Sequence, residues 1–231
     1  MTKRLIVWIM LLNGITFHGF GQLVEKDTTF IFKDTVNGEL QSIYIDYKPN
    51  NDYYDRLAAC KFLNFDEESY RNSLDFFIEN NIKLTKKKPL IPYKNWVSLK
   101  QYHHKYYVYY PCDFLFHFSQ TINDTTFIDW TGEGPLANKI IEQKKVDSNT
   151  YMFELTGING LYRKIIVHII DAEKGVAVFE ELTNGCVVNY YLMIATEKIT
   201  TVPIIINNCP SQKQWELTFD SIDVQTLLHS K

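Results

Sequence analysis

Tyr151-Met152-Phe153-Glu154-Leu155-Thr156 is a run in which Tyr151, Phe153 and Leu155 alternate with Met152, Glu154 and Thr156. A period of two puts the three large apolar side chains on one face of an extended strand and the other three on the opposite face. The same period reads outward in both directions. Phe114, Phe116 and Phe118 alternate with Leu115, His117 and Ser119, while Trp215, Leu217 and Phe219 alternate with Glu216, Thr218 and Asp220. Turn signals separate such runs: Pro111-Cys112-Asp113, Asn123-Asp124, Thr131-Gly132-Glu133-Gly134-Pro135, Gly157 to Gly160, Glu173-Lys174-Gly175 and Asn184-Gly185. From Tyr93 onward the spacing predicts about eight to ten short strands, the pattern of an antiparallel sandwich or barrel. Lys164 to Ile170 and Tyr190 to Ile194 are apolar on both faces, as expected of strands covered on both sides.

Ahead of this meander, the runs Thr28 to Phe32 and Leu40 to Tyr47 flank Asn37-Gly38, a pair suited to the positive φ values of a tight hairpin turn. A helix is predicted near residues 66–81. Asp66 caps it, Glu67 and Glu68 sit at its positive end, and Tyr70, Leu74, Phe77 and Ile78 fall on one face. Pro89 and Pro92 keep the following linker out of helix. The tail from Ser221, with Ile222, Leu227 and Leu228, is expected to form a short closing helix.

Residues 1–21 read as a cleavable signal peptide: Lys3 and Arg4, an apolar run from Leu5 to Leu12, then Gly19-Phe20-Gly21. That run is too short to cross a bilayer, which takes about 20 residues. The expected mature form, 22–231, is one exported β-rich domain, periplasmic or extracellular, with no membrane span. Cleavage moves the formal charge from −3 to −5, since Lys3 and Arg4 leave and no acidic residue does. A mildly acidic chain without a basic cluster argues against nucleic acid as partner. Cys60, Cys112, Cys186 and Cys209 make an even number in an exported chain, where disulfides persist. If Val187 to Ala195 and Val202 to Ile206 form a hairpin turning near Glu197-Lys198, Cys186 faces Cys209 across it. By elimination, Cys60 then pairs with Cys112.

Reactive groups are sparse. His103 and His104 are adjacent on an expected strand, so they point to opposite faces and cannot chelate one ion. His117 and His168 read as ordinary sheet residues, and Glu67-Glu68 and Glu180-Glu181 as surface charge. The chain has no G-x-S-x-G, H-E-x-x-H, P-loop or dinucleotide fingerprint. The expectation is a non-enzyme without metal or cofactor.

Aromatic residues are abundant, with 15 Tyr, 15 Phe and 4 Trp. Tyrosine joins a broad apolar face to a polar tip, which suits a ligand cavity or a contact surface. Tyr102, Tyr106 and Tyr110 share one strand face, and with Phe116, Phe118 and Trp130 they form the candidate ligand-lining set. Tyr107 and Tyr109 share the other face and are candidate anchors for a protein partner. The order of hairpin, helix and meander, with Tyr106 to Asp113, Thr131 to Pro135 and His168 to Gly175, resembles lipocalin-like (calycin-type) exported proteins of Bacteroidetes-type bacteria over roughly residues 93–219. The resemblance implies an up-and-down β-barrel whose interior holds a small apolar molecule. The Gly-x-Trp that opens the first barrel strand of lipocalins is absent, and Trp96 instead follows Lys94-Asn95. Two readings result: a carrier of a small apolar ligand in an enclosed pocket, or an extracytoplasmic interaction module of inhibitor or immunity type with exposed aromatic anchors.

Overall fold

The computed structural model describes residues 27–62, 64–183 and 186–229, and the expected signal peptide lies outside them. A hairpin comes first, β1 (Thr28–Val36) and β2 (Glu39–Asp46), turned at Asn37-Gly38 with φ of 52° and 83°. Helices α1 (Asp52–Ala58) and α2 (Asn64–Glu79) follow. The second covers the predicted helix from 66 to 79, but it starts at Asn64, so Asp66 lies within its first turn and is not its cap, and of the expected face Phe77 is buried while Ile78 is exposed. The first carries no long apolar stripe; it starts because the Asn51 side chain accepts the Tyr53 N–H at 2.8 Å.

Next come β3 (Asn95–Tyr102) and β4 (Lys105–Tyr110), a 3-10 turn at Phe114–Phe116, and then β5 (Ser119–Ile122), β6 (Thr126–Thr131) and β7 (Gly134–Lys145). The meander continues through β8 (Thr150–Thr156), β9 (Tyr162–Asp171), β10 (Val176–Thr183) and β11 (Cys186–Ala195). A 3-10 segment, Thr196–Thr201, leads to β12 (Ile204–Asn208), and α3 (Val224–His229) closes the described chain. Strands β3 and β5 to β11 form a closed, antiparallel eight-stranded barrel. β3 closes it, pairing with β5 through Asn95–Val97 and with β11 through Trp96–Ser98. From Leu99 onward β3 leaves the barrel and pairs with β4, which begins a second sheet in the order β3-β4-β12-β2-β1.

Alternation along the strands builds three cores. Trp96, Phe127, Phe153, Ile165, Val167 and Phe179 fill the barrel interior, and the Trp96 and Phe179 rings meet edge-on at 5.2 Å. Val176, Val178, Leu192 and Ile194 on the outer wall pack against Leu99, Val108, Ile204 and Ile206 of the second sheet. The run Tyr190 to Ile194 therefore has core inside and sheet outside, whereas on Lys164 to Ile170 only Ile170 of the outward residues joins that packing. A third core, Ile43, Ile45, Tyr107, Tyr109 and Ile205, lies on the far face of that sheet.

Several expectations change. Trp215 to Phe219 is an extended strap and not a strand: Leu217 and Phe219 cover the third core while Trp215, half exposed, meets the Phe32 ring at its rim, so alternation here records burial without a ladder. Phe114 to Phe116 is a 3-10 turn because the Asp113 carboxylate, after the Pro111 turn, accepts the Leu115 N–H at 3.1 Å. His103 and His104 form the β3–β4 turn, with φ of 47° and 62°, and the His104 N–H is held by Asp220 Oδ2 at 2.9 Å. Two non-glycine residues in the left-handed region need such an anchor.

The disulfide is Cys112–Cys209, with Cα atoms 5.9 Å apart, and Cys60 and Cys186 are free, in place of Cys186–Cys209 and Cys60–Cys112. β11 and β12 do not form a hairpin. The Thr196–Thr201 segment carries the chain to the second sheet, where β12 runs parallel to β4 with Ile206 opposite Tyr110. Parallel strands end side by side, so Cys112 and Cys209, just past those ends, can bridge. Peptide mapping without reduction is expected to recover Cys112 joined to Cys209. Under native conditions alkylation should label Cys186, which is exposed, before Cys60. Replacing Cys112 and Cys209 together by Ser should lower unfolding free energy by about 2–5 kcal/mol in urea titrations.

Candidate binding cleft and the charged barrel layer

One end of the barrel interior is polar. Arg163 precedes Ile165, Val167 and Ile169 in the same inward register on β9, Asp129 follows Phe127 on β6, and Glu181 follows Phe179 on β10. Arg163 Nη1 donates to Glu181 Oε1 at 3.0 Å and Nη2 to Asp129 Oδ2. Two carboxylates to one guanidinium leave an excess negative charge, which neutral donors offset. Gln120 Nε2 and Asn138 Nδ2 each reach Asp129 at 3.0 Å, and the Tyr191 hydroxyl donates to Glu181 Oε2 at 3.0 Å. Burial alone would pull Arg163 down, but Asp129 and Glu181 outweigh it and raise its pKa. Tyr191 is pushed up to about 12 by burial and then by Glu181, so its hydroxyl remains a donor. Glu181 is thus a buried group and not the surface charge expected, whereas Glu180 meets His168 Nε2 on the outer wall at 3.2 Å. Chemically, both carboxylates are committed to Arg163, and the set holds strands β6, β9 and β10 in register.

The rings below this layer fill the barrel, so the expected enclosed pocket is not found among the described clefts, all of which open to solvent. A cleft of about 530 Å³ lies instead in the wall, where β3 departs toward β4. Only Met193–Ala195 of β11 pair with β3, so Val187 and Asn189 to Leu192 face Leu99 to Gln101 across a gap. Tyr190, Leu192, Phe219, Ile222 and Val224 give it apolar walls, and Lys100 projects from β3 at its edge. Burial lowers the pKa of the Lys100 ammonium.

The six predicted lining residues are not gathered in one place. Tyr102 packs on the third core beside His103, Tyr106 and Tyr110 pack between barrel and second sheet, and Phe116 is exposed on the 3-10 turn. Phe118 and Trp130 do share a cleft, of about 490 Å³, with Cys60, Phe114, His117 and Gly132. Phe118 also stacks on Tyr191 at 5.0 Å, and Trp130 Nε1 donates to Thr121 Oγ1 at 2.9 Å. Burial pushes the Cys60 thiol up, which keeps it protonated and unreactive. Gly132 is needed because a Cβ there would stand 2.4 Å from the Phe114 carbonyl oxygen.

No protein family, curated protein or solved structure matches the chain. The site is therefore read from its own residues. Sequence reasoning missed Lys100, Arg163, Asp129 and Glu181. For Arg163, Asp129 and Glu181 the signal was phase: each is a charge in register with the apolar inward residues of its strand, whereas Lys100 follows Ser98 on β3 beyond the barrel and carries no such mark.

Arg163→Met is expected to cost about 3–5 kcal/mol in urea unfolding, because it strands two carboxylates inside the barrel. Adding Asp129→Asn and Glu181→Gln should restore much of that loss. Continued instability of the triple variant would point to packing of the arginine and not to its charge. His117 gives a pH test. Burial pushes it down, against the pull of Glu216 and Asp113. The unfolded chain therefore takes up a proton near the ordinary value of 6.5 while the native state does not. Stability should fall as pH drops through that region, and urea midpoints at pH 7.5 and 5 should separate wild type from His117→Asn, the wild type losing more.

Proposed function

We propose that this protein is an exported, non-enzymatic carrier that holds a small, largely apolar molecule in the wall cleft between β3 and β11. The cleft itself carries the reading. Its volume, about 530 Å³, falls within the range typical of small-molecule sites, and aromatic and aliphatic side chains share its walls about equally with polar groups. The ligand sits at the seam and not in the barrel, because rings occupy the barrel interior. Export is supported by the leader-like residues 1–21 and by the Cys112–Cys209 bridge, which persists in oxidising compartments. A non-enzymatic role is supported by Asp129 and Glu181, the paired buried carboxylates, which are both tied to Arg163.

The interaction-module reading keeps one observation in its favour. Phe114, Leu115 and Phe116 are 61 %, 52 % and 60 % exposed on consecutive positions of the 3-10 turn, an uncommon display of apolar surface. Tyr107 and Tyr109 are not its anchors, since both are buried in the third core.

A neutral fluorescent probe, N-phenyl-1-naphthylamine, should bind the purified protein one to one. Val187→Trp, at the cleft mouth, should weaken it at least tenfold. Unchanged binding in that variant, or no binding to wild type, would reject the seam as the site. Native mass spectrometry of protein from its own host should show a bound mass that is lost on denaturation.

A further inference from the structure

We propose that Lys100 is the anchor for an anionic head group, so that the molecule carried in the seam cleft is an organic carboxylate with an apolar body. This rests on the carrier reading above and specifies its ligand class. On β3, Trp96 lies in the barrel interior and the Ser98 hydroxyl reaches Met193 Sδ at 4.0 Å, so Lys100 continues the same strand face past the point where the wall opens. It is the single cationic residue among those lining the cleft, and its ammonium has no hydrogen-bond or ion-pair partner among the described residues.

Several of the neighbouring polar groups are engaged elsewhere. The single acidic side chain in the lining, Asp220, accepts the His104 N–H. The Tyr190 hydroxyl accepts from Gln225 Nε2 at 3.2 Å, the Asn189 side-chain oxygen accepts the Tyr190 N–H at 2.9 Å, and the Tyr191 hydroxyl donates to Glu181. A half-buried ammonium without a hydrogen-bond or ion-pair partner is costly, and the cost falls when a ligand supplies the opposite charge. That the whole chain is net negative means a bulk field does not draw the anion in, so recognition falls to this one side chain.

The head group is a monoanion. One lysine presents a compact charge with three donors and no neighbouring arginine fork, which suits a carboxylate better than a phosphate dianion. Phe219, Ile222, Leu192 and Val224 then take the apolar body.

The test compares dodecanoate with its neutral counterpart 1-dodecanol, by calorimetry below the micellar range of the acid and the solubility limit of the alcohol, on wild type and Lys100→Met. Wild type should bind dodecanoate at least tenfold more tightly than dodecanol. Lys100→Met should abolish that preference, leaving dodecanol and N-phenyl-1-naphthylamine within about twofold of wild type. Methionine removes an unpaired half-buried charge, so the variant should melt no lower than wild type. In wild type, dodecanoate should protect Lys100 from acetylation, read by peptide mass, where dodecanol does not. Equal binding of acid and alcohol to wild type, or a preference that survives in Lys100→Met, would overturn the role of Lys100 while leaving the carrier reading intact. Failure of every probe to bind wild type would overturn both.

Discussion

The backbone hydrogen-bond ladder of β3 is the constraint on which the rest of the molecule depends. Within eight residues this strand serves β5 on one edge, β11 on the other, and then β4 after Leu99. On the edge opposite β11, β4 takes over from Leu99 where β5 leaves off after Val97. The barrel is sealed by three residues on each side of β3, and beyond Ser98 the edge of β3 that faces β11 is left unpaired. Trp96 stabilises the sealed part: its ring is wholly buried against Phe179, and its Nε1 donates to the Tyr93 carbonyl at 3.2 Å. Closure, second sheet and cleft all follow from one strand changing partners.

The two halves of the barrel interior are stabilised by different physics. Below, contacts among rings and branched chains resemble any domain core and scale with apolar area removed from water. Above, a desolvated guanidinium and two carboxylates gain little net stability from their attraction, but they are intolerant of being unpaired. Such a layer favours one strand register, since slipping β9 by one residue would turn Arg163 outward and leave Asp129 and Glu181 facing each other. The exposed Phe-Leu-Phe turn is the opposite case, apolar surface held outward by a capping carboxylate and a covalent bridge.

Much of the fold was legible because burial and period coincide in most strands. The barrel meander, the Asn37-Gly38 hairpin and α2 all announced themselves through periodicity or turn chemistry. The failures have a common physical origin. Periodicity reports which side chains are covered and does not say by what, so the Trp215–Phe219 strap mimicked a strand, and the two-sided apolar runs did not reveal the second sheet. The disulfide was misread because β12 pairs in parallel with a strand nearly a hundred residues earlier, a long-range choice that local symmetry around Glu197 cannot encode. The aromatic residues misled similarly: tyrosines that seemed to define a ligand face are mostly packing between layers. The cleft was hidden in a single lysine beyond the barrel, visible only once the register of β3 is known.

The Cys112–Cys209 bridge encloses everything from β5 to β12 in one covalent ring. Every barrel strand except β3 lies wholly within that ring. A backbone break in any hairpin from β5 to β11 therefore opens a circle without releasing a piece: the fragments on either side remain one molecule, still flanking the seam. A single nick of this kind changes the connectivity of the chain without changing its composition.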